Sequence, residues 1–107
     1  MQTDLVAKYF RGLGDPNRLR ILELLRTEGE LTVGELVGRL GLSQPKVSNH
    51  LACLRWCGFV AARRQGRTVY NRIADWRVEA MLDLGEALLA DNAEHVAACC
   101  QIEEPNW

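Results

Sequence analysis

The chain of 107 residues has no hydrophobic run near the ~18 residues that a membrane-crossing helix needs, and its first residues lack the features of a secretion signal. We therefore expect a cytoplasmic protein without a membrane partner. Because the cytosol keeps thiols reduced, its four cysteines are expected to be free thiols or metal ligands. The sequence has only two histidines and no His and Asp set that could activate a cysteine nucleophile, which argues against an enzyme.

Acidic residues are missing from positions 43 to 74, although the chain contains 14 of them. This segment carries a net charge of +6, whereas residues 1–42 are balanced and residues 75–107 carry −7. Its basic residues are Lys46, Arg55, Arg63, Arg64, Arg67 and Arg72. The partition predicts a polyanionic partner for the basic segment, with a merely solvated basic face as the alternative.

Helical periodicity and capping signals surround the start of this segment. We predict helices over about 3–12, from Pro16 to near 29, a short one ending at Gly41, then 44–57 and 76–92. Gly41-Leu42-Ser43 forms a tight turn between two of them, which is the helix-turn-helix arrangement. Residues 59–64 and 67–73 alternate around Gln65-Gly66 and predict a β-hairpin.

These elements predict a fold that is mainly α with a β-hairpin wing, a winged helix-turn-helix. The last helix has a broad apolar face, which we interpret as the interface of a homodimer packed with the first helix. We expect residues 1–92 to form the DNA-binding and dimerisation domain and residues 93–107 a C-terminal metal-binding tail.

The helix over 44–57 is predicted to read double-stranded operator DNA. Its residues Val47, Leu51 and Leu54 recur on one face and should enter the core. Polar residues near its start can reach bases or phosphates, and arginines at the hairpin tip suit the DNA backbone or minor groove. The predicted contacts are Gln44, Lys46, Ser48, Asn49, His50, Arg63, Arg64 and Arg67. For His50, a structural hydrogen bond near the packing of this helix against the wing is as good an interpretation as a DNA contact.

Two thiols, those of Cys53 and Cys57, lie four residues apart on the same helix, on a flank beside its core face. Their Cβ atoms should be about 5–6 Å apart, a spacing at which two thiolates can bind one soft ion. Cys99 and Cys100 in the tail can complete such a site. His50 is left out of it because it lies roughly 10 Å from Cys57 along the helix axis.

Three segments resemble the ArsR/SmtB family of metal-sensing repressors: 15–22 (DPNRLRIL), 42–51 (LSQPKVSNHL) and 66–70 (GRTVY). The resemblance implies a homodimeric winged helix that binds operator DNA when metal-free and releases it when metal binds. Residues 51–58 (LACLRWCG) also resemble the CmtR type within that family, a class of Cd(II)/Pb(II) sensors. That type implies a third thiol from the tail of the other subunit, for which Cys99 matches best, with Cys100 beside it.

The metal predicted from the thiol set and this resemblance is Cd(II) or Pb(II), with Zn(II), Hg(II) or As(III) as alternatives. A different interpretation keeps the DNA binding but makes the same cysteines a redox switch that forms a disulfide or a persulfide.

Overall fold

The computed structural model describes residues 1–99 and residue 102. The chain folds in the order α1 (Thr3–Leu13), α2 (Pro16–Glu28), α3 (Val33–Leu40), α4 (Gln44–Trp56), β1 (Val60–Gln65), β2 (Thr68–Ile73) and α5 (Trp76–Ala98). Helices α3 and α4 form the helix-turn-helix, and the antiparallel pair β1–β2 forms the wing. The predicted winged helix-turn-helix fold is confirmed.

Side-chain caps set the starts of the three helices that build the DNA-binding unit. The Asp15 carboxylate accepts hydrogen bonds from two backbone N–H groups at the start of α2, at 2.8 and 3.2 Å. Thr32 and Glu35 form a reciprocal capping box at the start of α3, and the Ser43 hydroxyl caps α4. Gly41 ends α3 with a φ of 67°, a left-handed conformation that glycine adopts without strain.

The core lies where α2, α3, α4 and the base of the wing meet. On α4, Val47, Leu51 and Leu54 are buried, as their spacing predicts. They pack with buried residues from the neighbouring elements: Leu13, Ile21, Leu22, Leu25, Leu31, Leu36, Phe59, Val60 and Val78. Burial of these three side chains fixes the rotation of α4, so its opposite face is presented to solvent.

The turn of the wing lies one residue later than predicted. Gln65 pairs with Thr68, so the turn residues are Gly66 and Arg67 rather than Gln65 and Gly66. Gly66 has a φ of 63°, the positive value that a type II′ turn places at its first central residue. Glycine therefore takes the first turn position, and Gln65 is free to end the strand.

Helix α5 runs to Ala98, so the predicted end near residue 92 is wrong. Residues 93–98 contain no glycine or proline to stop the helix, and the side chain of Asn92 donates to the Leu88 carbonyl at 2.9 Å within it. The division into a domain of residues 1–92 and a metal-binding tail of residues 93–107 stays a prediction. Among residues 1–99, no helix has both the length and the apolar character needed to cross a membrane.

Candidate DNA interface and thiol site

The predicted DNA-reading residues of α4 lie at its N-terminal end, away from the buried face. Gln44, Lys46 and Asn49 are exposed, and Ser48 and His50 are half-buried. The helix N-terminus adds its own positive dipole, which favours a phosphate at this end. This arrangement is able to place polar side chains against base edges while the helix end faces the backbone of DNA.

His50 has a protein partner that the sequence did not reveal. Arg18 of α2 donates from Nε to His50 Nδ1 at 3.1 Å and from Nη1 to the Gly12 carbonyl at 3.2 Å. The hydrogen bond therefore joins α4 to α2 and not to the wing. The structural interpretation of His50 gains this support, and its DNA contact stays a prediction.

The three wing arginines have different surroundings. Arg63 pairs with Glu30 through an Nε to Oε2 distance of 2.5 Å, and its Cζ lies 4.6 Å from the centre of the Tyr70 ring. Arg64 donates to the Gly66 carbonyl at 3.1 Å, and Arg67 is exposed in the turn. Arg64 and Arg67 are thus placed at the tip, whereas Arg63 is held against the flank of the wing by an acidic neighbour.

Replacing Glu30 with glutamine is expected to strengthen DNA binding about two- to fivefold at low salt. The change releases Arg63 from an exposed ion pair, a contact that contributes up to about 1 kcal/mol, and removes a carboxylate that repels phosphate. Fluorescence anisotropy with an operator duplex measures the effect, which should shrink as salt is added.

The matched control is Glu28→Gln, because Glu28 lies on the other side of Gly29 and pairs with Arg39 of α3 at 2.7 Å. It removes the same charge without touching the wing. An equal gain in both variants would attribute the effect to net charge and contradict a specific role for the Glu30–Arg63 pair.

One buried polar side chain connects the wing to α4. Asn71 on β2 is fully buried; its Nδ2 donates to the Leu31 carbonyl at 3.1 Å, and its Oδ1 accepts from Arg55 of α4 at 3.2 Å. Backbone hydrogen bonds between Leu31 and Asn71 form an isolated antiparallel bridge beside the two-stranded wing. Because a buried amide is costly to leave unpaired, these bonds hold the wing and α4 in one relative position.

The paired thiols lie at the C-terminal end of α4, on the flank that the helical projection predicts. Cys53 is half-buried and Cys57 is exposed. Both line a cavity of about 660 Å³ between α4 and α1, together with Leu5, Lys8, Tyr9, Arg11, Gly12 and Arg18. The cavity gives a ligand access to both sulfur atoms from one side.

Although Cys57 is exposed, partial desolvation of its thiol raises the pKa above its ordinary value, and the adjacent Cys53 raises it further. The positive charges of Arg18 and Lys8 offset part of that rise. A soft metal ion binds the thiolate form, so its binding here must displace protons. Metal affinity at this pair should therefore fall as the pH is lowered.

The tail thiols lie away from this pair or outside the described residues. Cys99 is half-buried and caps the C-terminal end of α5, whereas Cys100 lies outside the part of the chain that the structure describes. Within that part, no three His, Cys, Asp or Glu side chains gather into a metal-binding group. Cys53 and Cys57 are brought together within one chain, and Cys99 does not join them.

An apolar groove separates α1 and α2 from α5. It has a volume of about 490 Å³ and is lined mainly by Phe10, Leu13, Leu19, Met81, Leu82 and Leu89. Further apolar side chains on α5 are exposed, with Leu84 and Leu88 each at 66%. This is the face that the sequence predicts as a dimer interface.

The fold, together with the basic residues on α4 and the wing, defines a winged helix-turn-helix DNA-binding protein. Proteins of this class are transcriptional regulators and not enzymes. The family model described as "Bacterial regulatory protein, arsR family" matches residues 15–62. The chain belongs to this ArsR family.

Relatives agree with that assignment over most of the chain. It is 43% identical to a probable mercury resistance operon repressor of Streptomyces lividans, over 92% of this chain and 78% of the relative. It is 42% identical to the HTH-type transcriptional regulator CmtR of Mycobacterium tuberculosis, over 84% of this chain and 76% of that one.

Among solved structures, the chain is similar to Mb0332 from Mycobacterium bovis, described as a homodimeric winged helix-turn-helix DNA-binding domain and a possible ArsR-family regulator. The two superpose with a TM-score of 0.76 at 33% identity, over 87% of this chain and 85% of the other.

Proposed function

We propose that this protein is a metal-responsive transcriptional repressor that binds operator DNA as a metal-free homodimer and dissociates when a thiophilic ion binds Cys53, Cys57 and a tail thiol. The observation that carries the proposal is the pair of accessible thiols on the helix that would read DNA. An ion bound there contacts the same rigid helix as the DNA does, at its opposite end. Release requires that the ion favour the conformation with low DNA affinity, through a coupling of about 1–3 kcal/mol.

The length of α5 supports a tail thiol that comes from the partner subunit. Cys57 shares a cavity with Asp75, Arg77 and Val78 at the start of α5, whereas Cys99 caps its other end. A helix of 23 residues is about 34 Å long, but sulfur atoms that share one ion lie within about 5 Å of each other. Cys57 and Cys99 of one chain are therefore too far apart to bind the same ion.

The exposed apolar groove beside α5 supports the homodimer. A second copy would cover it and bring the end of one α5 toward the other protomer. The homodimeric neighbour Mb0332 supports the same assembly. A symmetric dimer also presents two copies of α4 to two half-sites of an operator.

The soft donors of the site favour thiophilic ions over Mg²⁺ or Ca²⁺. Resemblance to the CmtR type favours Cd(II) or Pb(II), and the name of the Streptomyces relative keeps Hg(II) among the alternatives, with Zn(II) and As(III). The basic segment from residue 43 to 74 supports operator DNA as the partner, and phosphate neutralisation should make binding steeply salt-dependent.

The proposal is tested by titrating the reduced protein with Cd(II), Pb(II), Zn(II), Hg(II) and As(III), each with and without an operator duplex. We expect thiolate-to-metal absorption that saturates at one ion per chain, a loss of about three reactive thiols per ion, and a matching fall in duplex anisotropy. Metal binding without DNA release, or release by Mg²⁺ as readily as by these ions, would contradict it.

A thiol-redox switch is the second candidate, favoured by the exposure of Cys57 next to Cys53. A disulfide needs Cβ atoms about 3.5–4.5 Å apart, whereas residues four apart on a helix hold theirs at about 5–6 Å. An internal disulfide would have to unwind the end of α4, so a persulfide or a link to a tail thiol fits better. Mass spectrometry after treatment with peroxide, or with peroxide and sulfide together, separates this candidate from metal binding, because sulfide forms a persulfide only on a thiol that the peroxide has oxidised.

A further inference from the structure

The guanidinium of Arg18 joins three parts of the protein. Its Nε donates to His50 Nδ1 on α4, and its Nη1 donates to the Gly12 carbonyl near the end of α1. The same side chain lines the cavity that contains Cys53 and Cys57. One half-buried residue of α2 thus contacts both the thiol cavity and the helix that carries the thiols.

His50 lies on α4 between the residues predicted to contact DNA and the two thiols. It follows Lys46 by four residues and precedes Cys53 by three, so it is a neighbour of both on the helix surface. The Arg18 contact therefore lies between the DNA-reading end of α4 and its thiol end. Helix α1 buries only Leu13 among its residues and contacts the core ring of Phe59 through Tyr9, so the bond from Arg18 to Gly12 adds a polar attachment to few apolar ones.

We propose that Arg18 is a positioning residue that couples the thiol site to the DNA-reading end of α4; this inference rests on the proposed function. In the metal-free protein, the guanidinium fork holds α4 at His50 and α1 at Gly12 together, in the arrangement that binds DNA. An ion seated on the thiolates occupies the cavity that Arg18 lines and changes its electrostatic surroundings. The bond to His50 weakens, and α4 loses its fixed position relative to α2.

Lysine cannot replace arginine in this role, because its ammonium lacks the planar fork that reaches two acceptors at fixed angles. Arg18→Lys keeps the charge beside the thiols but should lose one or both hydrogen bonds. The matched control is Arg20→Lys on the same helix. Arg20 is exposed, and its side chain donates only to Asn17 within the described residues, at 3.2 Å. It lies at the edge of the apolar groove and not at the thiol cavity, and lysine keeps its charge there.

The main quantity is the ratio of the operator affinity without Cd(II) to the affinity with saturating Cd(II), both measured by anisotropy. Two further measurements accompany it: the Cd(II) affinity, from thiolate absorption, and the melting temperature of each variant. In Arg18→Lys we expect the ratio to fall about fivefold or more, within the usual range of allosteric couplings. The loss should come from weaker metal-free binding, while the metal-loaded affinity and the number of bound ions stay unchanged. Arg20→Lys should keep the wild-type ratio.

A second variant keeps the test decisive if Arg18→Lys does not fold. His50→Ala removes the acceptor and should lower the same ratio, and the double variant should lose no more than either single one. A wild-type ratio in Arg18→Lys, or additive losses in the double variant, would overturn the inference while the proposed function stands. Failure of Cd(II) to release DNA from the wild-type protein would instead reject the proposed function, and the inference with it.

Discussion

Cys57→Ser should bind operator DNA within about twofold of the wild-type affinity and show no release on addition of Cd(II) or Pb(II). The hydroxyl of serine is a poor ligand for soft ions, so the variant removes one of the two thiolates on α4. Cys57 is exposed and does not belong to the buried core, which is why DNA binding should survive. The ratio of the operator affinity without metal to the affinity with metal, about 5–150-fold for a typical coupling, should fall to one.

Cys53→Ser should behave in the same way, because in the proposed site neither thiol alone would hold an ion between α4 and the tail. Cys99→Ser and Cys100→Ser, made separately, then identify the tail ligand as the one whose loss prevents release. If both α4 variants still release DNA on Cd(II) addition, the site lies elsewhere in the protein. The redox candidate predicts instead that the serine variants lose the response to peroxide, given alone or together with sulfide.

Leu89→Asp should convert the dimer to a monomer and lower operator affinity about 100-fold or more. Leu89 lines the apolar groove between α1, α2 and α5 and is 48% exposed in the single chain. A carboxylate at this position stays hydrated in a monomer. In a dimer it would be buried with no hydrogen-bonding or charged group to pair with it. A monomer engages only one half-site and loses the gain from binding both at once, which commonly reaches about 100- to 10,000-fold.

The control for this variant is Ala90→Asp, which adds the same charge at the next residue of α5, an exposed position outside the groove. Sedimentation velocity should show a dimer for Ala90→Asp and a monomer for Leu89→Asp, both with wild-type helix content. A Leu89→Asp protein that still sediments as a dimer would place the interface elsewhere.

Local patterns predicted the parts of this protein that depend on neighbours in sequence. The apolar spacing on α4 gave its buried face, and the same projection placed Cys53 and Cys57 side by side on its flank. The caps at Asp15 and Ser43 likewise follow from residues within one turn. Errors occurred where local signals were ambiguous, at the hairpin turn and at the end of α5.

The contacts that connect the site to the rest of the fold could not be predicted in this way. Arg18 and His50 are 32 residues apart, and Glu30 and Arg63 are 33 apart, so no periodicity links either pair. Asn71 looks like an ordinary strand residue, and only the folded structure buries it beneath Leu31 and Arg55. Each contact depends on how whole elements pack, and local patterns in a single sequence do not reveal that packing.

The span of α5 has a genetic consequence under the proposed assembly. Each dimer would hold two metal sites, and each site would combine α4 of one chain with the tail of the other. A dimer of one wild-type chain and one chain without tail thiols would then keep one intact site. Chains defective in α4 thiols and chains defective in tail thiols would likewise restore one site when they pair. In a cell that makes both chains, the mixed dimers would therefore respond to metal, whereas homodimers of either variant would stay bound to the operator.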